Sequence, residues 1–305
     1  MKTLIISHDD CLLHDPGVKI AESPARVKAV LSAILDLRGT EQLPAPLASP
    51  EQILRVHDAE YWDSLVKNEP EEGQVALDWD TFMSKGSLDA TRRGSGAACF
   101  AVDQILEGKA KNAFCAVRPP GHHSYQNVAM GFCLSNHVAI AARHAQKVHG
   151  LERIAVLDFD VHHGNGTQEI FEDSSEVLFI SSHQFPLYPG TGTADETGAG
   201  NIVNIPLPPG TESAEFRKAW SRRGFSRLFS FDPELILISA GFDAHERDPL
   251  GQLRLHEDDY AWFTNEVRAF ADECCDGRLV SVLEGGYDLE GLAASARAHV
   301  AALTG

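Results

Sequence analysis

Residues 153–168 read RIAVLDFDVHHGNGTQ, an aliphatic run that ends in two acids, two histidines and a turn bounded by glycines. Such a run has no polar face, so it suits a strand covered on both sides, as in a parallel sheet. Similar runs recur outward in both directions: TLIISH (3–8) and NAFCAV (112–117) before it, then EVLFISSH (176–183), NIVNIPLP (201–208), ELILISAG (234–241) and RLVSVLEGG (278–286). Amphipathic stretches separate them. The alternation predicts an α/β fold: a single three-layer αβα domain over residues 1–305 with a mostly parallel central sheet.

Ser23 and Pro24 predict the start of a helix whose Val27, Val30, Leu31 and Ile34 share a face, with Gly39 as its stop. NHVAIAARHAQKVHG (136–150) predicts a second, closed by Gly150. Further helices are expected near 87–107, 213–229, 257–274 and 289–303.

The 305 residues carry a formal net charge of −18. That balance argues against nonspecific nucleic-acid binding, which needs clustered Lys and Arg, and favours cationic or neutral substrates. No stretch approaches the roughly 18 uninterrupted apolar residues of a membrane span. The opening MKTLIISHDD meets His8 and two acids too soon for a secretory signal. A soluble, cytoplasmic protein is expected, without nucleic-acid or membrane partners. Cysteines 11, 99, 115, 133, 274 and 275 show neither CxxC spacing nor the density of a disulfide scaffold, which suits reduced thiols.

The chemically distinctive residues follow the strand runs. His122 and His123 lie beyond NAFCAV; Asp158, Asp160, His162 and His163 close the central run; His183, Asp243 and Tyr287 close three others. In open α/β sheets the carboxyl ends of the strands form the ligand crevice, so these segments are expected to converge. If the central strand continues toward Gly164, alternate residues Asp158, Asp160 and His162 point the same way. Asp160 and His162 then have metal-ligand spacing, and Asp243 supplies a third ligand. Two carboxylates and one imidazole leave a coordination position open, as in a catalytic zinc site. The turn in RPPGHHSYQNVAMGFC (118–133) presents two imidazoles that could act as general base and general acid. Two glycines in LEGGY let Tyr287 reach the crevice and donate to a developing oxyanion. Each element alone also has a plain structural reading: acids that cap helices, an incidental histidine pair, a packing tyrosine.

Together RPPGHH, GFC, LDFDVHHGNGTQ, YPGTG, SAGFDAHERDPLG and LEGGY resemble, in order and approximate spacing, the motifs of the histone deacetylase superfamily across residues 3–300. LEGGY and HHGNG are similar to the class II forms, shared with bacterial relatives. The resemblance implies an arginase/deacetylase-like fold and a zinc-dependent amidohydrolase acting on an N-acetyl or related N-acyl amine. It implies Asp160, His162 and Asp243 as zinc ligands and Tyr287 as the group that polarises the carbonyl. His122 and His123 match the tandem catalytic histidines, with His123 as the main proton shuttle and His122 as its electrostatic partner. Asp158 matches the aspartate behind His122, and with Asp160, His162, Ser181 and Ser182 it matches a structural potassium site. Asn165 stands where class I enzymes carry aspartate, which leaves His123 without a carboxylate partner and disfavours its imidazolium.

Phe132 and Tyr188 resemble the aromatic walls of an acyl-lysine channel, Tyr188 adding a hydroxyl where most members have phenylalanine. Gly131 would let substrate lie against backbone. Leu250 resembles a channel-wall leucine at a position where polyamine-specific relatives place glutamate, so acetyl-lysine is preferred over acetylpolyamine as substrate. Arg26 resembles the arginine of an internal channel beneath the zinc. A homo-oligomer is compatible with the sequence. The rival readings are an acetylpolyamine amidohydrolase, a ureohydrolase with a two-metal cluster, and a noncatalytic acyl-lysine binding protein. Among the other histidines, His57, His183 and His245 are expected in loops near the crevice, and His137, His144, His149, His256 and His299 in surface or satisfied helical positions. His14 has no assignment.

Overall fold

The apolar runs become strands because each carries aliphatic side chains to both faces of one sheet. The structure, a computed structural model, describes residues 2–17 and 19–305; Met1 and Val18, within the predicted domain, lie outside the described residues. The strands are β1 (Thr3–Ser7), β2 (Thr40–Pro44), a separate antiparallel hairpin of β3 (Gln74–Ala76) and β4 (Phe82–Ser84), then β5 (Asn112–Cys115), β6 (Ile154–Asp158), β7 (Val177–Gln184), β8 (Ile202–Leu207), β9 (Leu235–Ala240) and β10 (Leu279–Leu283). Eight of them form the central sheet in the order β2-β1-β5-β10-β9-β6-β7-β8, and every pair in it runs parallel.

The helices are α1 (Pro24–Ile34), α2 (Pro50–Ile53), α3 (Ala59–Asn68), α4 (Ser87–Leu106), α5 (His137–His149), α6 (Asn165–Phe171), α7 (Ser213–Ala219), α8 (Phe225–Phe231), α9 (Glu257–Cys274) and α10 (Leu289–Thr304). They cover both faces. On β6, Ile154 and Val156 enter a core with Val102 of α4 and Ile140 of α5. Ala155 and Leu157, on the other face, pack with Val30 of α1, Val267 of α9 and Val300 of α10. The alternation within one strand is what makes three layers, and each fully buried aliphatic side chain contributes roughly 1.5–3 kcal/mol.

Several local expectations are corrected. Residues 213–229 are not one helix: Trp220–Gly224 forms a wider π-helical turn between α7 and α8. It seats the fully buried Trp220 indole against Phe263, with Nε1 donating to Ser182 Oγ at 2.9 Å. The first helix ends at Ile34, short of Gly39, which instead turns the chain into β2. β6 stops at Asp158, so Asp160 and His162 lie past its end in a bend. The bend is held by side chains: Asp160 N–H donates to Asp158 Oδ1 at 3.0 Å and His162 N–H to Asp160 Oδ1 at 2.9 Å. All six cysteines are free, five of them buried. Among the described residues, no helix is long and apolar enough to cross a membrane.

Candidate active site

The sheet order brings β5, β10, β9 and β6 together in its middle, where the chain reverses its direction of strand addition, and a crevice opens beyond their carboxyl ends. These four strands deliver His122 and His123, Glu284 and Tyr287, Asp243, and Asp158 with Asp160 and His162. The predicted site residues of five segments thus reduce to four that meet. The fifth, ending in His183, does not join them: His183 lies within β7, bonded to Ser181 Oγ at 2.9 Å and to the Gly192 carbonyl at 2.9 Å.

Asp160, His162 and Asp243 offer donor atoms that all lie within 4.8 Å of one another, and all three are buried. His162 Nδ1 stands 3.1 Å from Asp160 Oδ1 and 3.1 Å from Asp243 Oδ2. One imidazole nitrogen flanked by two carboxylates is a donor set that fits a zinc ion. Gly285 approaches so closely that a Cβ there would strike the carboxylates of Asp243 and Asp160, and its N–H donates to Asp160 Oδ2 at 2.9 Å. The first glycine of LEGGY therefore makes room for the two acids, a role beyond freeing Tyr287.

Without a cation, this cluster is electrostatically unsatisfied. Burial and the neighbouring Asp160 push Asp243 up to about 7. Burial would lower His162, but hydrogen bonds to Asp160 and Asp243 outweigh it and push it up to about 10. Two other groups have ligand-like composition and do not behave alike. In Asp103–His144–His149, Arg55 Nη1 donates to His144 Nδ1 at 2.7 Å, which places the ring proton on Nε2. That proton goes to Asp103 Oδ1 at 2.7 Å, so the nitrogen is a donor and not a ligand. In His245–His256–Glu257, the backbone N–H of Arg247 donates to His245 Nδ1 at 3.2 Å, which places that ring's proton on Nε2, although Nε2 itself has no hydrogen-bond partner.

The adjacent histidines are set in opposite states. His122 Nδ1 donates to Asp158 Oδ2 at 2.9 Å, and its Nε2 lies 3.7 Å from Asp160 Oδ2. Burial opposes its charge, yet Asp160 and Asp158 prevail and raise it well above the ordinary histidine value. His123 is lowered well below that value, first by burial and then by the charge of His122 and His162. Its Nδ1 donates to Asn165 Oδ1 at 2.6 Å, the amide being oriented by Asn165 Nδ2 facing Met130 Sδ at 3.3 Å. The neutral ring therefore keeps its Nε2 lone pair free. The rings stand 4.1 Å apart between centroids.

His123, His162, Gly131, Phe132, Tyr188, Leu250 and Tyr287 line one cavity of about 320 Å³ that opens past Lys19, Trp79 and Asp80. All four predicted channel residues are brought to it. Gly131 is required by packing as much as by any ligand, because a Cβ there would run into the His123 ring. Phe132 follows with a positive φ of 67°, a strained backbone for a bulky residue that turns its ring edge-on to Tyr287 at 5.8 Å. Tyr188 Oη is buried without a hydrogen-bond partner. Tyr287 is anchored by its own N–H, which donates to Asp248 Oδ2 at 2.6 Å, and burial raises its phenol so that it stays a donor.

Arg26 is fully buried, its guanidinium 4.9 Å from the centre of the Tyr287 ring. It donates to the Gly286 carbonyl at 2.6 Å, to the Glu284 carbonyl, and to Glu22 Oε1 at 3.2 Å. At the predicted potassium site, Asp158 lies in register with Ser181, but the Ser181 hydroxyl is engaged by His183 and that of Ser182 by Trp220. His183 Nε2 donates to the Gly192 carbonyl, so the Ser181 hydroxyl donates to Nδ1 and its oxygen lone pairs stay available to a cation alongside the backbone carbonyls.

His57 is buried but serves α5, accepting the Asn136 N–H at 2.9 Å. His137 and His299 are fully buried among hydroxyl partners, and His14 bonds Ser87 Oγ at 2.7 Å beside Glu22. Three acids went unnoticed in the sequence: Asp248, which anchors Tyr287; Asp80, buried in the cavity lining; and Glu284. Glu284 alone carried a signal, an acid immediately after a strongly apolar strand.

Fold and site together define a three-layer α/β protein with a buried Asp–His–Asp cluster beside two histidines and a tyrosine. Residues 20–303 match the histone deacetylase domain family, and the chain belongs to that family, whose members include deacetylases and related amidohydrolases. It is 42% identical to the histone deacetylase-like amidohydrolase of Pseudomonas aeruginosa over 88% of this chain and 72% of that protein. It is 38% identical to human polyamine deacetylase HDAC10 over 100% of this chain and 48% of that protein. The crystal structure of the HDA15 HD domain superposes with a TM-score of 0.92 at 34% identity, covering 99% of this chain and 91% of that one. Curated relatives are spanned over as little as 20% and as much as 96% of their length.

Proposed function

We propose that this chain is a zinc-dependent deacylase that hydrolyses the N-acetyl, or a similar N-acyl, amide of lysine or a related amine. The observation that carries this reading is a cavity whose floor presents His123, His162 and the Tyr287 phenol, with Asp160 and Asp243 packed behind His162 and a His122 raised well above the ordinary histidine value behind His123. Asp160, His162 and Asp243 would hold the zinc, whose chemistry there is Lewis-acid polarisation of a carbonyl and acidification of a water.

The chain's own residues supply the rest. His123 Nε2, with its lone pair free, takes a proton from the attacking water, and the protonated ring returns it to the leaving amine. His122, charged and fixed by Asp158, stays cationic and supplies a positive field beside the developing tetrahedral centre. Tyr287 donates its hydroxyl proton in a hydrogen bond to the acyl oxygen as negative charge gathers on it. Phe132, Tyr188 and Leu250 enclose the methylene chain and exclude water. The same reading keeps a potassium ion at Asp158, Asp160, His162, Ser181 and Ser182, held by Ser181 and backbone carbonyls of the bend.

Leu250 at the cavity wall favours acetyl-lysine. A second reading, acetylpolyamine, draws on Asp80, a buried carboxylate in the cavity lining, and the 74%-exposed Trp79 next to it, which together could receive a distal ammonium, and on the likeness to HDAC10. The test is a deacylation screen of acetyl-lysine peptides, acetylputrescine, acetylspermidine and longer acyl amides, with zinc removed and restored. Activity that follows zinc, and that Tyr287→Phe lowers by ~10²-fold or more without loss of metal, is the expected result. Indifference to every amide in the zinc-loaded protein would sink the reading.

A further inference from the structure

Glu284 has no role in the chemistry just described, yet its carboxylate is completely buried at the end of β10. A buried carboxylate is costly unless donors surround it. Here Oε2 accepts the N–H of Gly121 at 2.6 Å and the N–H of His122 at 3.1 Å, while Ser239 Oγ donates to Oε1 at 3.3 Å. Its own backbone is fixed: the N–H donates to the Ala240 carbonyl at 2.9 Å, and its carbonyl accepts from Arg26.

The segment Glu284 grips is anchored before the turn: the Ala116 N–H donates to the Ile6 carbonyl at 2.9 Å, Arg118 pairs with Glu22, and His137 Nε2 donates to the Pro119 carbonyl at 3.0 Å. Pro119 and Pro120 have no N–H to give, so at the turn itself Gly121 and His122 are the first backbone donors after them, and Glu284 accepts from both. On the other side of the same residue, the His122 carbonyl accepts from Gly166 and Thr167 at 3.1 and 3.2 Å. Carboxylate on one side and the start of α6 on the other clamp the peptide from which both imidazoles project.

We propose that Glu284 is a positioning residue for the His122–His123 pair, acting through two successive backbone N–H groups that converge on one carboxylate oxygen. The inference rests on the deacylase reading for its effect on turnover, but its geometry can be tested apart from activity. In zinc-free protein the Gly121 amide proton, donated to a carboxylate, should resonate far downfield by NMR and move upfield in Glu284→Ala. Glu284→Gln, whose amide oxygen can still accept both N–H groups, should keep much of that shift.

With zinc and an acetyl-lysine peptide, Glu284→Ala should lose ~10²-fold in kcat while KM stays within ~3-fold and metal content is unchanged, as for a displaced catalytic group. Glu284→Gln should recover to within ~10-fold of the parent. A Glu284→Ala kcat within ~3-fold of the parent overturns the inference, as does a Gln variant as impaired as Ala. If Glu284→Ala does not fold, Glu284→Asp decides: it keeps the charge but is one methylene too short, so parental turnover there overturns the proposal. A parent inert on all amides would defeat the deacylase reading alone, and an unmoved Gly121 resonance would defeat the positioning role alone.

Discussion

Two buried clusters of charge lie side by side at the ends of β5 and β10, and they are balanced in opposite ways. In the first, the Glu22 carboxylate faces Arg118 through Oε1 at 2.8 Å and Oε2 at 2.5 Å, with Arg26 and His14 close by. Although burial alone would raise it, Arg118 and His14 hold Glu22 well below the usual carboxylate range. In the second, Asp158, Asp160, Asp243 and Glu284 outnumber His122 and His162, and both Asp243 and Glu284 are pushed up to about 7, chiefly by burial. The first cluster is complete as the chain folds. The second carries an excess of carboxylate that only a further cation would relieve, which distinguishes scaffold from site more sharply than burial does.

The largest expected effect breaks the complete cluster. Arg118 also donates to the carbonyls of Cys11 and His14 at 2.7 and 2.6 Å, so its guanidinium ties the first loop to the segment leading to the histidines. Arg118→Met should leave the buried Glu22 carboxylate without its two-point partner, with only Arg26 and His14 beside it, and cost about 3 kcal/mol, with or without zinc. Urea unfolding measures this directly. A loss no greater than that of a surface substitution would mean the two clusters do not differ as described.

A medium effect, of opposite sign, belongs to the incomplete cluster. Asp243 in the metal-free protein has a folded value of about 7, above the ~3.9 of an unfolded aspartate. The folded state therefore holds a proton that the unfolded state has released, and stability is lost as pH rises from about 4 through 7. Asp243→Asn escapes that loss. In EDTA-treated protein it should match the parent near pH 5 and exceed it at pH 8 by on the order of 1–3 kcal/mol. Saturating zinc should reverse the ranking, since the parent alone would gain the ~4 kcal/mol that a thousandfold excess over Kd provides. A variant less stable than the metal-free parent at pH 8 would contradict the reading of Asp243 as a repelled charge.

The contrast also explains what could be read in the sequence. Strands were legible because β6, β9 and β10 are apolar on both faces, a pattern local enough to see. β2 was not, since TEQLP sits at the sheet edge and keeps polar side chains. The break between α7 and α8 arises from Trp220 seeking Ser182 and Phe263, a tertiary demand with no local signature. Asp160, His162, Asp243, His122, His123 and Tyr287 were legible because they sit in dense polar motifs at strand ends. Glu22 and Asp248 act by pairing with a distant arginine or accepting backbone N–H groups, and nothing in their neighbours announces such partners; Glu284 shows only its place after an apolar strand, which does not say what it grips.

The smallest effect lies on the cavity wall and sharpens the distinction between polar groups the fold has satisfied and one it has not. The imidazoles and carboxylates at the floor are hydrogen-bonded, whereas Tyr188 Oη is buried with no partner, and burial pushes its phenol upward. A desolvated hydroxyl without a bond contributes nothing favourable to the free protein, and replacing it by hydrogen of nearly the same shape is neutral or mildly stabilising. Tyr188→Phe should therefore change unfolding free energy by ~0–1 kcal/mol in the stabilising direction, with its edge-on contacts to His123 at 5.2 Å and Trp79 at 6.1 Å kept. For a substrate that presents only methylenes at that depth, kcat/KM should stay within ~3-fold. A tenfold or greater loss confined to one acylated amine would show that the hydroxyl finds its partner in that substrate, and a destabilised variant would show that it already has one in the protein.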